Sequence, residues 1–204
     1  MNPLLETLQP YPFERLARLN AGVIPPKELT PIALSIGEPK HPTPEIIRRA
    51  LVENLSGLSQ YPATRGIPEL RKVIADWLER RFRLTPGSVD PERHILPCNG
   101  TREALFSLAQ AVINPEGQSK VLMPNPFYQI YEGAALLAGA TPVFVNATRE
   151  TGYLPDFETI PASVWKECQL IYICSPSNPS GAVMQREAMA RLIRLSEEHD
   201  FIIA

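Results

Sequence analysis

The sequence contains few of the residues that form covalent links or metal sites. Its 204 residues include only three cysteines and three histidines. Cys98, Cys168 and Cys174 are odd in number and lack CxxC spacing, so we predict neither a disulfide framework nor a zinc site. The histidines also lack the spacing of metal ligands, and the sequence therefore predicts no metal centre.

Strong charge and long apolar runs are also missing. The net charge of -2 at pH 7 gives no reason to expect nucleic acid or a membrane surface as a partner. No apolar run is long enough to span a bilayer, and the first residues have neither the basic nor the apolar region of a leader peptide. We therefore predict a soluble cytoplasmic protein. Proline, in contrast, is plentiful at 22 residues, most of which fall at element boundaries.

The second half of the chain alternates short apolar runs with helical patterns. This alternation is typical of an α/β fold with a mainly parallel sheet and helices on both faces. The predicted strands occupy residues 95–98, 121–123, 141–145, 169–173 and 201–204. Helices are predicted between them, at about residues 100–112, 128–138 and 185–199. A long polar connection is predicted from Asn146 to Trp165.

The first half of the chain begins with a predicted arm, residues 1–31. A short helix in the arm places Phe13, Leu16 and Leu19 on one side. These side chains need an apolar surface, either on their own domain or on a partner subunit. A short strand is then predicted at residues 32–36.

Two further helices are predicted in this half. The first has Thr43 as its N-cap and Pro44 at its first helical position. The second begins at Pro68 and is amphipathic. Its predicted core residues are Leu70, Val73, Ile74, Trp77 and Leu78, and its predicted solvent-facing residues are Arg71, Lys72, Glu79 and Arg80.

The segment Asn99-Gly100-Thr101-Arg102 lies where a predicted strand gives way to a helix. Free N–H groups and the dipole at a helix N-terminus suit a phosphate, and a glycine lets the backbone approach it closely. The alternative is an ordinary glycine turn capped by Asn99. The sequence contains neither GxGxxG nor GxxxxGK[ST], which counts against a dinucleotide site and against a P-loop.

Two other predicted strands are followed by motifs that suit a flat ring. Tyr128 follows one strand and could stack on a ring or form a lid over the core. Asn178 follows another strand in a loop stiffened by prolines, and its amide suits a ring oxygen or a carboxylate, unless the loop is only a rigid turn. Carboxyl ends of parallel strands meet at one edge of a sheet, where ligands bind. Pyridoxal phosphate is one ligand that would use all three motifs.

The order of these motifs resembles that of the class I/II aminotransferases, which are fold-type-I pyridoxal-phosphate enzymes. The resemblance rests on Gly37-Glu38-Pro39, Tyr61 with Gly66 and Leu70-Arg71, Asn99 to Leu105, Pro126-Phe127-Tyr128, and Ser177 to Gly181. It covers nearly the whole chain and corresponds to about the first half of a family member. Segments 9–13, 35–44 and 125–133 are similar to the succinyldiaminopimelate aminotransferases of the bacterial lysine pathway.

The resemblance implies residues that hold pyridoxal 5'-phosphate. The backbone of Gly100, Thr101 and Arg102 would bind the cofactor phosphate, and Tyr61 would reach it from the partner subunit of a homodimer. Tyr128 would stack on the pyridine ring.

The resemblance also implies a domain division. Residues 1–43 would form an N-terminal arm and a small-domain segment, and residues 44–204 would form a large cofactor-binding domain, truncated at its C-terminal end.

The resemblance also implies roles in ring and substrate binding. Asn178 would donate a hydrogen bond to the phenolic oxygen of the ring, and a cis peptide before Pro179 would aim it. Gly37 would lie against the α-carboxylate of the amino-acid or 2-oxo-acid substrate. Lys40 departs from the family, which commonly has an acidic residue at this point. We expect this cation to pair with the extra carboxylate of an N-succinyl substrate, the alternative being a solvent-exposed lysine.

Other family residues are expected to lie beyond this chain. The aspartate that pairs with the pyridinium nitrogen would fall just after Ala204, and the Schiff-base lysine and the carboxylate-binding arginine would follow much later. We therefore predict an inactive fragment with no catalytic residue of its own. We also expect residues 94–98 to lack their neighbouring strands and the isolated chain to be marginally stable.

The complete enzyme is predicted to transfer an amino group from glutamate to N-succinyl-2-amino-6-oxopimelate in lysine and diaminopimelate biosynthesis. Two alternatives remain open. The first is another class I/II aminotransferase, acting on aspartate, alanine or aromatic substrates. The second is a non-catalytic binding module that keeps the phosphate site without the chemistry.

Overall fold

The computed structural model describes residues 2–32 and 34–204. The chain divides into two compact units, one formed by Met1–Ala21 with Cys98–Ala204 and the other by Gly22–Pro97. The predicted domain boundary after residue 43 stays a prediction. No helix in the described part of the chain is both long and apolar enough to cross a membrane.

The larger unit is built on a parallel sheet of four strands. These are β1 (Lys120–Asn125), β2 (Thr141–Asn146), β3 (Cys168–Ile171) and β4 (Ile202–Ile203). Their order across the sheet is β2-β1-β3-β4, and every pairing is parallel. Parallel neighbours need long crossover connections, which here contain helices. The predicted parallel α/β fold is confirmed.

Helices cover both faces of this sheet. They are α4 (Thr101–Val112), α5 (Ile130–Leu137), α6 (Ala162–Glu167) and α7 (Arg186–His199). Successive strand residues point to opposite faces. Val121 and Met123 therefore join the core beneath α4 and α5, whereas Leu122 packs with Trp165 of α6 and Leu192 of α7. Burial on both faces explains why residues 121–124 of β1 form a continuous apolar run.

Two segments predicted as strands are not strands. Residues 95–98 form no regular structure, and Leu96 is exposed. A strand requires a neighbouring backbone that exchanges hydrogen bonds, and Pro97 has no N–H to offer. Residue 32 and residues 34–36 are also outside any strand, and Ala33 lies outside the described residues.

The connection between β2 and β3 is more structured than predicted. It contains a 3-10 helix, Phe157–Thr159, and the short helix α6. Asp156 caps the 3-10 helix, because its carboxylate accepts a hydrogen bond from the N–H of Glu158 at 3.0 Å. Trp165 of α6 is buried.

The N-terminal part of the larger unit contains a 3-10 helix, Pro3–Thr7, and helix α1, Pro12–Asn20. The helix predicted in the arm is confirmed. Phe13, Leu16 and Leu19 are exposed. The choice between their own domain and a partner subunit as the surface that covers them stays open.

The smaller unit contains α2 (Glu45–Glu53), a 3-10 helix (Leu55–Ser59) and α3 (Pro68–Phe82). Helix α2 begins one residue later than predicted, with Pro44 rather than Thr43 as its N-cap. The predicted N-cap is therefore wrong by one residue, because the fixed φ of proline suits the N-cap as well as the first helical position.

The predicted faces of α3 are wrong at several positions. Leu70, Val73 and Trp77 are exposed, whereas Arg71 is buried with Ala75. The side-chain carboxylate of Glu79, predicted to face water, accepts a hydrogen bond from the N–H of Val89 at 3.0 Å. A charged side chain is buried when its polar atoms find partners, and the apolar pattern of one helix does not reveal those partners.

Candidate active site

A pocket of about 290 Å³ opens in the larger unit. It is lined by Thr101, Leu105, Pro124, Phe127, Tyr128, Tyr131, Cys174 and Asn178. Pro124 belongs to the C-terminal half of β1, and Cys174 and Asn178 follow β3. The pocket therefore lies at the carboxyl edge of the sheet, where α/β proteins bind ligands. It brings together three predicted site residues: Thr101, Tyr128 and Asn178.

Helix α4 begins at this pocket. Gly100 precedes it with φ 104° and ψ 163°, a conformation that residues with a side chain rarely adopt. Within the described residues no side chain caps α4, so the predicted cap by Asn99 is wrong, and the alternative of an ordinary glycine turn without a ligand stays a prediction. The first N–H groups of a helix have no partner in the helix and carry partial positive charge. This terminus is therefore suited to an anion.

Tyr128 is held in place by the side chain of Arg102. Arg102 Nε donates a hydrogen bond to Tyr128 Oη at 2.7 Å, and the guanidinium carbon lies 5.5 Å from the ring centroid. This hydrogen bond is the main cause that raises the pKa of Arg102, with a smaller contribution from Tyr11 of the arm. Sequence reasoning assigned a role only to the backbone of Arg102 and missed this side-chain contact.

A series of aromatic rings supports Tyr128 from within the unit. Tyr131 meets Tyr128 edge-on, with centroids 5.9 Å apart, and stacks on Tyr172 at 4.3 Å. Tyr172 Oη donates a hydrogen bond to the carbonyl of Leu105 at 2.7 Å, and burial raises the pKa of Tyr172 to about 12. Burial also raises the pKa of Tyr131, with smaller effects from Cys174 and Tyr128. Sequence reasoning missed both inner tyrosines.

The loop that carries Asn178 is closed by its own backbone. The N–H of Gly181 donates to the carbonyl of Ser177 at 2.7 Å, and the N–H of Ser177 donates to the carbonyl of Ala182 at 2.8 Å. The peptide bond before Pro179 is cis, as expected from the resemblance. Asn178 therefore lies in a structured loop at the pocket wall.

The remaining predicted site residues belong to the smaller unit. Tyr61 is fully exposed in the loop between the 3-10 helix Leu55–Ser59 and α3. Gly37 and Lys40 are also exposed, in a segment without regular structure. Their predicted roles, like those of the pocket residues, stay predictions.

The fold and the pocket define an α/β protein with a ligand-sized cavity at the carboxyl edge of a parallel sheet. Residues 30–204 match the family described as Aminotransferase class I and II. The chain therefore belongs to the class I and II aminotransferases, a family that depends on pyridoxal 5'-phosphate.

Individual relatives agree with this assignment. An LL-diaminopimelate aminotransferase from Desulforudis audaxviator is 34% identical over 98% of this chain and 50% of its own length. An aspartate/prephenate aminotransferase from Thermus thermophilus is 35% identical over 84% of this chain and 43% of its own. The crystal structure of an aminotransferase from Neisseria meningitidis has 46% identity and a TM-score of 0.92, covering 100% of this chain and 51% of that one. The chain thus spans about half the length of the curated relatives that it matches.

Proposed function

We propose that this chain is the N-terminal part of an aminotransferase and that its pocket holds pyridoxal 5'-phosphate. The observation that carries the proposal is the convergence of Thr101, Tyr128 and Asn178 on one cavity. These residues lie in three segments that are far apart in sequence. Together they offer a helix N-terminus, an aromatic ring and an amide, which suit a phosphate, a pyridine ring and a ring oxygen.

The described residues fit this cofactor. The N-terminal N–H groups of α4, beginning at Thr101, would bind the phosphate, and the positive φ of Gly100 supports close approach of the backbone. Tyr128 would lie against the ring, held by Arg102 on its hydroxyl and by Tyr131 on its edge. When bound, pyridoxal phosphate supplies the electron-withdrawing ring that stabilises negative charge at the substrate Cα.

Asn178 would tune the phenolic oxygen of that ring. Its side-chain amide donates hydrogen bonds, and a donor facing this oxygen favours the deprotonated form. The closed backbone of the 177–182 loop would fix the direction of the amide. Leu105, Pro124 and Phe127 supply apolar walls that limit the access of water.

Binding can be tested on the 204-residue chain with pyridoxamine 5'-phosphate, whose amine does not react with surface lysines. We expect it to quench protein fluorescence and to bind at least about tenfold more tightly than pyridoxamine, because only the phosphorylated ligand reaches the N-terminus of α4. Gly100→Ala should reduce that preference, whereas Ser107→Ala, an exposed position on the same helix, should not. Equal affinity for the two ligands would refute the phosphate site.

We further propose that the complete enzyme transfers an amino group from glutamate to N-succinyl-2-amino-6-oxopimelate. Support comes from the similarity of segments 9–13, 35–44 and 125–133 to succinyldiaminopimelate aminotransferases. In this proposal Gly37 lies against the substrate α-carboxylate and the exposed Lys40 pairs with the succinyl carboxylate. The enzyme would be a cytoplasmic homodimer in which Tyr61 completes the phosphate site of the partner subunit. The Schiff-base lysine would come from the other half of the enzyme.

A second candidate substrate is LL-diaminopimelate, because relatives covering 98% of this chain are named LL-diaminopimelate aminotransferases. Compared as amino donors in the reverse reaction, N-succinyl-LL-diaminopimelate and LL-diaminopimelate differ only in the succinyl group. In the complete enzyme, kcat/KM for the succinylated and the free amino acid decides between them. Lys40→Ala should lower the ratio of kcat/KM for the succinylated amino acid to kcat/KM for the free one. Lys27→Ala, at another exposed lysine, is the matched control. An unchanged ratio would remove Lys40 from substrate recognition.

A further inference from the structure

Arg71 of α3 is a buried charged residue to which the proposed site assigns no role. Only 5% of its surface is exposed, and its Nε makes no hydrogen bond to the described residues. A buried guanidinium is unfavourable unless its other donors find good acceptors. The position of those acceptors therefore indicates what the residue holds.

Two of the three acceptors of Arg71 lie at the end of the loop that begins at Tyr61. Arg71 Nη1 donates to the carbonyl oxygens of Arg65 and Gly66, at 3.2 and 3.4 Å. Arg71 Nη2 forms an ion pair with Glu92 Oε1 at 2.5 Å. One side chain thus joins the loop to a segment more than twenty residues later in the sequence.

Glu92 also contacts the loop directly, through the side chain of Arg65. Its other carboxylate oxygen lies 3.3 Å from Arg65 Nη1, and its backbone carbonyl accepts a hydrogen bond from Arg65 Nη2 at 2.5 Å. The N–H of Glu92 itself donates to Asp90 Oδ1 at 2.8 Å. Arg65, Arg71 and Glu92 therefore form a closed network around the loop backbone.

Gly66 makes the end of this loop tight. Its φ is +70°, its N–H donates to the carbonyl of Ala63 at 2.8 Å, and an added Cβ would lie 2.8 Å from Pro97 Cγ. Tyr61, at the other end of the loop, is fully exposed. The Tyr61 side chain is not packed on the described residues, whereas the backbone that follows it is held from Ala63 to Gly66.

We propose that Arg71 is a positioning residue: with Glu92 it holds the 61–66 loop in the conformation that presents the Tyr61 hydroxyl to the cofactor phosphate of the partner subunit. This inference rests on the proposed role of Tyr61. It gives a physical reason for the spacing of three residues. Tyr61 would bind the phosphate, Gly66 forms the turn, and Arg71 fixes that turn.

The loop itself can be tested by limited trypsin digestion of the complete aminotransferase without ligand. Arg71→Met should speed cleavage of the Arg65–Gly66 bond by about tenfold, because loss of the buried hydrogen bonds opens the loop. Arg71→Lys should give an intermediate rate, since an ammonium cannot span both carbonyls and Glu92. Arg80→Met, an exposed position on the same helix, should leave cleavage unchanged. If Arg71→Met does not fold, Glu92→Gln replaces it in this test, because it keeps the side-chain shape but removes the charge that pairs with Arg71.

The link to the phosphate is tested by the Kd of pyridoxamine 5'-phosphate. Tyr61→Phe and Arg71→Met should each raise this Kd. The double variant should bind no more weakly than Tyr61→Phe alone, because both changes remove the same contact between Tyr61 and the phosphate. Independent effects that multiply in the double variant would assign Arg71 to general stability and overturn the inference. So would unchanged cleavage after Arg65.

The two proposals fail in different ways. If Tyr61→Phe leaves the Kd unchanged, the proposed role of Tyr61 is wrong and the inference falls with it. If Tyr61→Phe raises the Kd but Arg71→Met and Glu92→Gln do not, the phosphate role stands and only the positioning role of Arg71 is wrong.

Discussion

Arg102 and Tyr128 are 26 residues apart in sequence, yet Arg102 Nε donates a 2.7 Å hydrogen bond to Tyr128 Oη. The pair joins the first turn of α4 to the segment that follows β1. The same ring lines the candidate cofactor pocket. The geometry therefore couples the proposed phosphate site to the proposed ring site through one side chain.

Replacing Arg102 tests that coupling. Arg102→Met should weaken binding of pyridoxamine 5'-phosphate by about threefold, because Tyr128 loses both its hydrogen-bond donor and an exposed cation near its ring. Fluorescence titration of the variant measures the change. Arg149→Met, a matched substitution at another exposed arginine, should bind normally. Unaltered binding by Arg102→Met would show that Tyr128 needs no support from this side chain.

Gly66 should be intolerant of a side chain. Gly66→Ala introduces a Cβ only 2.8 Å from Pro97 Cγ, at a backbone φ of +70°. The left-handed conformation alone costs about 1–2 kcal/mol for alanine, and the close contact adds to it. Urea unfolding should therefore show a lower free energy of unfolding. Gly57→Ala, where a Cβ would meet nothing within 4 Å, should unfold like the unmodified protein. Equal stability of both variants would contradict the described packing.

The parallel sheet could be predicted because its strands carry their own signal. Val121, Leu122 and Met123 are all apolar, which a strand buried on both faces requires. Residues 95–98 carry a similar signal and still form no strand. Apolar character favours burial, but strand formation also depends on a hydrogen-bonding neighbour that a local pattern does not contain.

The candidate site was predicted at the loops that follow β1 and β3, and its inner aromatic residues were missed. Tyr128 follows β1 and Asn178 follows β3, so the topology of parallel sheets indicated that they meet. Thr101 was expected to join them because of a strand predicted at residues 95–98, which does not form. Tyr131 and Tyr172 lie within a helix and directly after a strand, where an aromatic residue is usually a core residue. Arg71 is predicted to face solvent because of its charge. Its partners Arg65 and Glu92 are recognisable only once the loops are folded.

The three cysteines should differ in reactivity. Cys98 is exposed, Cys174 is partly buried, and Cys168 is buried with its pKa raised by burial to about 12. Only the thiolate reacts with disulfide reagents, so at pH 8 Cys98 should be labelled first and Cys168 only on unfolding. Ellman's reagent with and without urea measures this order. Cys98→Ser should remove the fastest phase, and rapid labelling of Cys168 in the folded protein would contradict its burial.

Tyr172 should make stability fall at alkaline pH. Burial raises its pKa from the ordinary 10.0 to about 12, so the unfolded chain loses this proton at a lower pH than the folded protein does. The contribution of the protonated Tyr172 to the free energy of unfolding is therefore fully present below pH 10 and is lost as the pH rises from about 10 to 12. Tyr172→Phe should flatten this fall in the free energy of unfolding, measured by urea titration at each pH. It should also lower stability by about 1 kcal/mol at neutral pH, because the carbonyl of Leu105 loses its donor. Tyr153→Phe, an exposed control, should keep the alkaline fall, and an identical fall in Tyr172→Phe would assign it to other groups.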